Sequence, residues 1–224
     1  MKKKIVFIMN PISGTSSKAA VPSLIDSTLD KEQFEYEIKM TERPGHASEL
    51  AAEARDNHAD IVVAVGGDGT VNEVARSLVH SDSALGILPC GSGNGLARHL
   101  LLPMNLKKSI EIINACEIHD LDYGVINEYP FFCTCGMGFD AFVSMKFAES
   151  GKRGPISYAE NILREGLKYE PETYTLEDET GTKQYKAFLI SCANASQYGN
   201  NAYIAPQASM SDGLMDVVIM EPFD

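Results

Sequence analysis

The segment Val62-Val63-Ala64-Val65-Gly66-Gly67-Asp68-Gly69-Thr70-Val71-Asn72-Glu73 constrains this chain more than any other. Its valine-rich opening suits a strand covered on both faces. Val71, Val74, Ala75 and Leu78 then recur at helical spacing, so the segment joins a strand to a helix. Between the two, Gly66, Gly67 and Gly69 let the backbone turn sharply and bring amides close to a phosphate with no Cβ in the way. The start of a helix favours an anion at the same place. Thr70 and Glu73 have the spacing of a capping box for that start. Asp68 stands out, because a carboxylate in such a loop repels phosphate unless it binds Mg²⁺ or accepts a proton. That combination points to phosphoryl chemistry.

The surrounding chain repeats this strand-to-helix pattern up to about Leu102. Lys4 to Met9 and Ile61 to Val65 are near-continuous apolar runs, and Leu85 to Leu88 is a shorter one, as expected of central parallel strands. Phe34 to Met40 alternates apolar and charged residues, which predicts an edge strand with one face more exposed. Ala47, Leu50, Ala51 and Ala54 mark a crossover helix. The expected fold is α/β, a doubly wound sheet over residues 1–118 whose ligands sit beyond the carboxyl ends of the strands.

Residues 119–224 read differently. Leu121 to Ile126 and Pro130 to Cys135 are strand-like runs joined by Asn127-Glu128 in hairpin position. A helical stretch spans Ile156 to Leu167, and further strands are expected at Thr173 to Leu176, Tyr185 to Cys192 and Leu214 to Met220. This is a mainly β second domain, expected to be incomplete, since stopping just past an apolar strand would leave an exposed edge.

Two further turns belong with the first. Asn10-Pro11-Ile12-Ser13-Gly14-Thr15 follows the first strand and is read as opening the first helix. Pro89-Cys90-Gly91-Ser92-Gly93-Asn94-Gly95 follows the strand at Leu85 to Leu88 and precedes a helical stretch from Leu96 to Leu102. Neighbouring loops of this kind can grip one polyphosphate. In order and spacing, the Asn10 to Gly14 turn, the Gly66 to Glu73 segment, and Gly91 to Asn94 with Leu96-Ala97-Arg98 resemble the ATP-binding signatures of diacylglycerol and sphingosine kinases. Gly136 to Asp140, Tyr198-Gly199, Ala205-Pro206 and Ser211 to Asp216 resemble that family's β-rich lipid domain.

The resemblance implies ATP bound between the domains. Asn10 and Ser13 of the first turn would contact it, with Thr41 at the end of the edge strand. From the middle loop it implies Gly66, Gly67, Asp68, Gly69, Thr70, Asn72 and Glu73, and from the last Gly91, Ser92, Gly93 and Asn94. Asp68 is the implied catalytic residue, either deprotonating a lipid hydroxyl or holding Mg²⁺ through water. Asp212 matches a position associated with Mg²⁺, and its plainer reading is a turn acceptor. Ser92 and Asn94-Gly95 look closer to sphingosine kinases than to diacylglycerol kinases, so the lipid stays open. The family's late Asp-Gly-Glu motif has no counterpart after Asp216.

Composition narrows the partners. A net charge of −12, from 19 Lys and Arg against 31 Asp and Glu, argues against general nucleic-acid binding. An acidic protein is repelled by anionic headgroups, so contact with a lipid substrate at a membrane would be peripheral and transient. Lys2 to Lys4 or Lys152-Arg153 could dock locally, although ordinary solvated charge is the plainer reading. The five scattered cysteines fit a reducing cytoplasm, with Cys133 and Cys135 read as core residues. A homodimer is left open. NAD kinases, which share a Gly-Gly-Asp-Gly loop, and a nucleotide-binding regulatory module without catalysis are the competing readings.

Overall fold

The computed structural model describes residues 2–14, 18–142, 145, 166 and 169–223. Its first unit is a four-stranded parallel sheet in the order β2-β1-β3-β4, built from β1 (Lys3–Met9), β2 (Phe34–Met40), β3 (Ile61–Gly66) and β4 (Ala84–Pro89). β2 lies at an edge, as its alternating sequence predicts, whereas β4, expected to be central, is the other edge, with Ala84, Leu85 and Gly86 half-buried. Successive side chains of a strand point to opposite faces, so the apolar runs feed two cores. Ile5, Phe7, Met9, Val63 and Val65 pack with α1 (Val21–Thr28) and α5 (Leu106–Ala115). Val6, Ile8, Val62 and Ala64 pack with α2 (His46–Asp56) and α3 (Asp68–Leu78) on the other face. Val62, Val63, Ala64 and Val65 are completely buried, and each valine contributes roughly 1.5–3 kcal/mol of burial.

Strand register brings the loops together. Met9 lies beside Met40 and Val65, and Gly66 lies beside Pro89. The chain therefore leaves all four strands at one edge of the sheet, with Asn10, Thr41, Gly67 and Cys90 as the first residues beyond it.

Several local expectations are corrected. α1 does not start at the Asn10 turn but at Val21, with Pro22 in its first turn, where the missing amide costs nothing. α4 (Gly95–His99) is shorter than the stretch to Leu102, because Leu101 takes a left-handed φ of 57°. α5 is an additional helix, capped by Asn105, whose side chain accepts from the Lys108 amide at 3.1 Å.

The second unit holds a β5–β6 hairpin (Gly124–Ile126, Tyr129–Phe131), closed as expected by Asn127-Glu128 with Asn127 at φ 54°. β7 (Thr134–Gly138), β10 (Leu189–Ala193) and β11 (Asp216–Met220) form an antiparallel sheet in the order β11-β10-β7. β8 (Glu172–Asp178) and β9 (Gly181–Ala187) form a separate hairpin. The run read as one strand from Tyr185 to Cys192 is thus two. Ala187 pairs with Glu172 and Leu189 with Gly138, so the chain changes sheets at Phe188, whose ring lies 4.5 Å from that of Phe139. The helical stretch from Ile156 to Leu167 lies outside the described residues, except for Gly166. Ala195 and Met210 of the second unit share a core with α2 and α3, so the two units pack directly on each other.

Candidate active site

Three loops meet backbone to backbone at the carboxyl edge of the sheet. A Cβ on Gly91 would overlap the Gly67 Cα and lie 2.8 Å from Asn94 Oδ1. Gly14, at φ 71°, is pressed equally closely against the Cys90 carbonyl. The Cys90 amide donates to the Gly66 carbonyl at 2.7 Å, which continues the β3–β4 ladder into the loops. Asn94 then closes the third loop on itself: its Oδ1 accepts from the Gly91 amide and its Nδ2 donates to the Gly91 carbonyl, both at 2.9 Å. It is buried, with a left-handed φ of 55°, a conformation asparagine tolerates better than most residues. In the first loop Asn10 Oδ1 accepts from the Ile12 amide at 3.1 Å, and Ser13 Oγ donates to the Asn10 carbonyl at 3.2 Å.

Asp68 spans two of these loops. Its Oδ2 accepts from the Asn94 amide at 2.8 Å and its Oδ1 from the Gly95 amide at 2.6 Å. Those amides offset the carboxylate charge that the sequence leaves unexplained, and the residue itself stays exposed. Gly69 beside it has open space around it, Ser92 is exposed, and Asn72 is half-buried on α3. Thr41 is buried at the end of β2, its amide donating to the Met9 carbonyl at 2.9 Å.

The capping box is not formed. α3 begins at Asp68 after Gly67, without a side-chain cap, and Thr70 Oγ1 accepts from Asn10 Nδ2 at 3.4 Å. Glu73 turns away from the Gly66–Gly69 loop and caps the neighbouring helix α2, accepting from the amides of Gly45 at 3.2 Å and Ala47 at 3.1 Å. A role for Glu73 in holding a cofactor is therefore replaced by a structural one. Glu73→Ala is expected to cost about 1–2 kcal/mol, as loss of a helix cap does, and to leave nucleotide affinity unchanged in a titration.

The second unit clamps the third loop. Gly199, at φ 115°, packs against the Gly93 backbone, and Gly95 against that of Tyr198. Arg98 Nε and the Asn200 amide both donate to the Gly93 carbonyl, at 3.0 and 3.2 Å. His99 Nδ1 accepts from the Ser196 amide at 3.0 Å, which places any neutral-ring proton on Nε2. Burial lowers the His99 pKa from its ordinary 6.5. As pH falls, the unfolded chain takes up this proton first, so the contribution is complete above roughly pH 6.5 and is lost as pH falls through the depressed value. His99→Gln is accordingly expected to flatten the pH dependence of the melting temperature between about pH 7 and 5, measured against the wild type.

Two site features had no place in the sequence reading. Lys18 is buried and its Nζ donates to the Ser13 carbonyl; burial raises the Cys90 pKa and the nearby Lys18 charge partly opposes that rise, so a cation sits close to the first and third loops. It is the one basic residue between β1 and α1, which was the available signal. The other is the contact of Tyr198-Gly199 with the third loop, since the resemblance placed that pair only in the lipid domain.

Asp212 lies in a turn, its Oδ1 accepting from the Leu214 amide at 3.0 Å, while Asp122 Oδ2 accepts from the next residue, Gly213, at 2.8 Å. Among the described residues no three His, Cys, Asp or Glu side chains gather to hold a metal, so a protein donor set for Mg²⁺ is not assembled here. Gly14, Gly67 and Gly91, by contrast, leave no room for a side chain, which is the bare-backbone surface that a polyphosphate would require. All five cysteines are free and half-buried. Cys133 precedes β7 rather than lying in it, and burial together with the Asp68 charge pushes its thiol up to about 12.

Comparison with known proteins gives two family matches: the diacylglycerol kinase catalytic domain over residues 4–126, and the YegS C-terminal NAD kinase beta sandwich-like domain over residues 133–224. The "Probable lipid kinase YegS" of Escherichia fergusonii is 29% identical over 198 residues, covering 85% of this chain and 66% of its own length. The "Diacylglycerol kinase" of Staphylococcus saprophyticus is 28% identical over 232 residues, covering 99% of this chain and 74% of its own. This chain thus spans about two thirds to three quarters of those relatives' length. A crystal structure of a diacylglycerol kinase from Bacillus anthracis shares the fold, with a TM-score of 0.75 at 23% identity over 98% of this chain and 74% of that one.

Proposed function

Since this chain belongs to the diacylglycerol kinase catalytic domain family, we propose that it forms the nucleotide-binding part of an ATP-dependent lipid kinase, moving the γ-phosphate of ATP to a lipid hydroxyl. The observation that carries this reading is the contact of three loops around Gly14, Gly67 and Gly91 at one sheet edge. Backbone amides of the Gly66–Thr70 loop and of Ser92 and Gly93, with Ser13, would hold the phosphates, and Lys18 would offset their charge from behind. Phosphoryl transfer draws most of its acceleration from positioning and charge stabilisation, which a rigid cradle of amides supplies. Asp68 keeps the third loop in register with the second, and its carboxylate would orient the acceptor hydroxyl and take its proton. Mg²⁺, when bound, would neutralise phosphate charge. Asp212, whose Oδ2 accepts no hydrogen bond among the described residues, would be a candidate ligand for it.

Among the described residues no helix is long and apolar enough to cross a membrane. We place the protein in the cytoplasm, meeting its lipid by peripheral contact. NAD phosphorylation is the second reading, kept because the β-sandwich family match carries the NAD kinase description. Parallel incubations with ATP and either mixed lipid micelles or NAD separate the two. The proposal expects a phospholipid product; NADP formation without one would overturn it.

A further inference from the structure

Cys135 of β7 stands directly opposite Cys192 of β10 in the antiparallel register. Both thiols are free and half-buried. The Phe139 amide donates to the Phe188 carbonyl at 2.9 Å, and the Asn194 amide to the Cys133 carbonyl at 2.8 Å. Directly opposed residues of an antiparallel pair alternate between hydrogen-bonded and non-hydrogen-bonded sites. Counting in twos from either bond makes Cys135 and Cys192 a hydrogen-bonded pair, with Cα atoms roughly 5.5 Å apart. A disulfide takes Cα separations of roughly 4.4–6.8 Å, so this pair can be bridged with the strands in place.

No other cysteine competes for either thiol. Cys133 lies two residues along the chain from Cys135, roughly 6.8 Å away at the limit of that range, and it faces Asn194 rather than a thiol. Burial and the Asp68 charge also push its thiol up to about 12, which keeps it protonated. Cys90 follows β4 and Cys116 caps α5, both in the first unit.

A bond at this place is readily reversed. Cβ atoms at a hydrogen-bonded pair stand about 5.5 Å apart, against roughly 3.5–4.5 Å in a relaxed disulfide, so closure draws β7 and β10 together against their own ladder. Strained disulfides are the easily reduced, regulatory class. Burial raises the pKa of both thiols, and on Cys135 the neighbouring Cys192 and then Asp140 add to the rise, so the first attack on an oxidant is slow. The second step is intramolecular, because the partner thiol already faces the sulfur it must reach. β10 then runs on towards Tyr198-Gly199, whose backbone packs on Gly93 and Gly95, so the bridged strand is the one that carries the contact with the third loop.

We propose that Cys135 and Cys192 form a reversible dithiol–disulfide couple, oxidised by a small-molecule disulfide such as that of glutathione. One protein thiolate attacks the oxidant and expels a glutathione thiolate, leaving a mixed disulfide. The opposed thiolate then attacks the protein sulfur of that bond and expels the second glutathione thiolate. The protein loses two electrons and two protons, and one glutathione disulfide becomes two glutathione thiols. Neither ATP nor a lipid takes part, so the couple stands independently of the kinase reading.

The test is to equilibrate the wild type with glutathione disulfide, block the remaining thiols with an alkylating reagent, and map the unreduced peptides by mass spectrometry. The expected result is a Cys135–Cys192 cross-link within one chain, roughly tenfold or more above any other pairing because proximity favours the opposed thiols. Dithiothreitol should remove it. Cys135→Ser and Cys192→Ser should each abolish it and leave the remaining thiol as a glutathione adduct, while Cys116→Ser leaves it intact. The wild-type map decides the question even where a serine variant fails to fold. Stable glutathione adducts on wild-type Cys135 or Cys192, a cross-link through Cys133, or a bond between two chains would overturn the pairing. So would thiols that stay free at alkaline pH, where thiolates are abundant.

Discussion

Gly91→Ala is expected to lower stability by about 1–3 kcal/mol, the usual range for forced overpacking, and to weaken ATP binding by roughly tenfold or more. The added methyl would enter the space of the Gly67 Cα and press on Asn94 Oδ1 at 2.8 Å. Neither neighbour can swing aside. Gly67 is backbone between β3 and α3, and the Asn94 side chain is bonded twice to Gly91 itself. The methyl must therefore separate the second and third loops, whose contact forms the cradle. Gly69→Ala is the matching control for stability, since nothing lies within 4 Å of the added carbon. Thermal melts should place Gly69→Ala at or slightly above the wild type, because alanine is the better helix former. ATP titration of the Gly91 variant then reports the cradle directly.

Asp68→Asn is expected to reduce kcat/KM by about a hundredfold or more, the scale on which oriented polar groups act in such sites. Asparagine keeps one acceptor oxygen where the carboxylate has two, and turns an NH₂ toward either the Asn94 or the Gly95 amide, both of which are donors. It also removes the charge available to take a proton. Most of the loss is expected in kcat, because the backbone amides of Gly66 to Thr70, proposed to hold the phosphates, remain. Steady-state kinetics in ATP at saturating lipid would show this division. Activity within about threefold of wild type would remove Asp68 from the chemistry, since that is less than one ordinary hydrogen bond contributes.

The sheet was legible because its central strands are buried on both faces and so carry unbroken apolar runs, as Val62 to Val65 do. The edge strand β2 was legible for the opposite reason, since half-burial imposes alternation on Phe34 to Met40. That the three loops share one edge followed from the strand-to-helix pattern alone. What escaped was decided by distant partners. Glu73 satisfies the capping-box spacing, yet its carboxylate reaches the amides of another helix, which no local pattern records. Tyr185 to Cys192 reads as one strand until Phe188 is seen to switch between sheets. The clamp of Tyr198 and Gly199 on Gly93 and Gly95 joins residues far apart in the chain, and a glycine packed on a glycine leaves no hydrophobic trace. α5 was recoverable: Asn105 ahead of Leu106, Ile110 and Ile113 is a cap before a helical apolar stripe.

The most direct test of the central claim is transfer of label from γ-labelled ATP to a mixed lipid extract by the wild type and by Asp68→Asn. The wild type is expected to give a labelled phospholipid and the variant a strongly reduced yield, both proteins binding ATP. Binding of ATP by both, with no labelled lipid from either, would contradict it and leave a nucleotide-binding regulatory module as the better description.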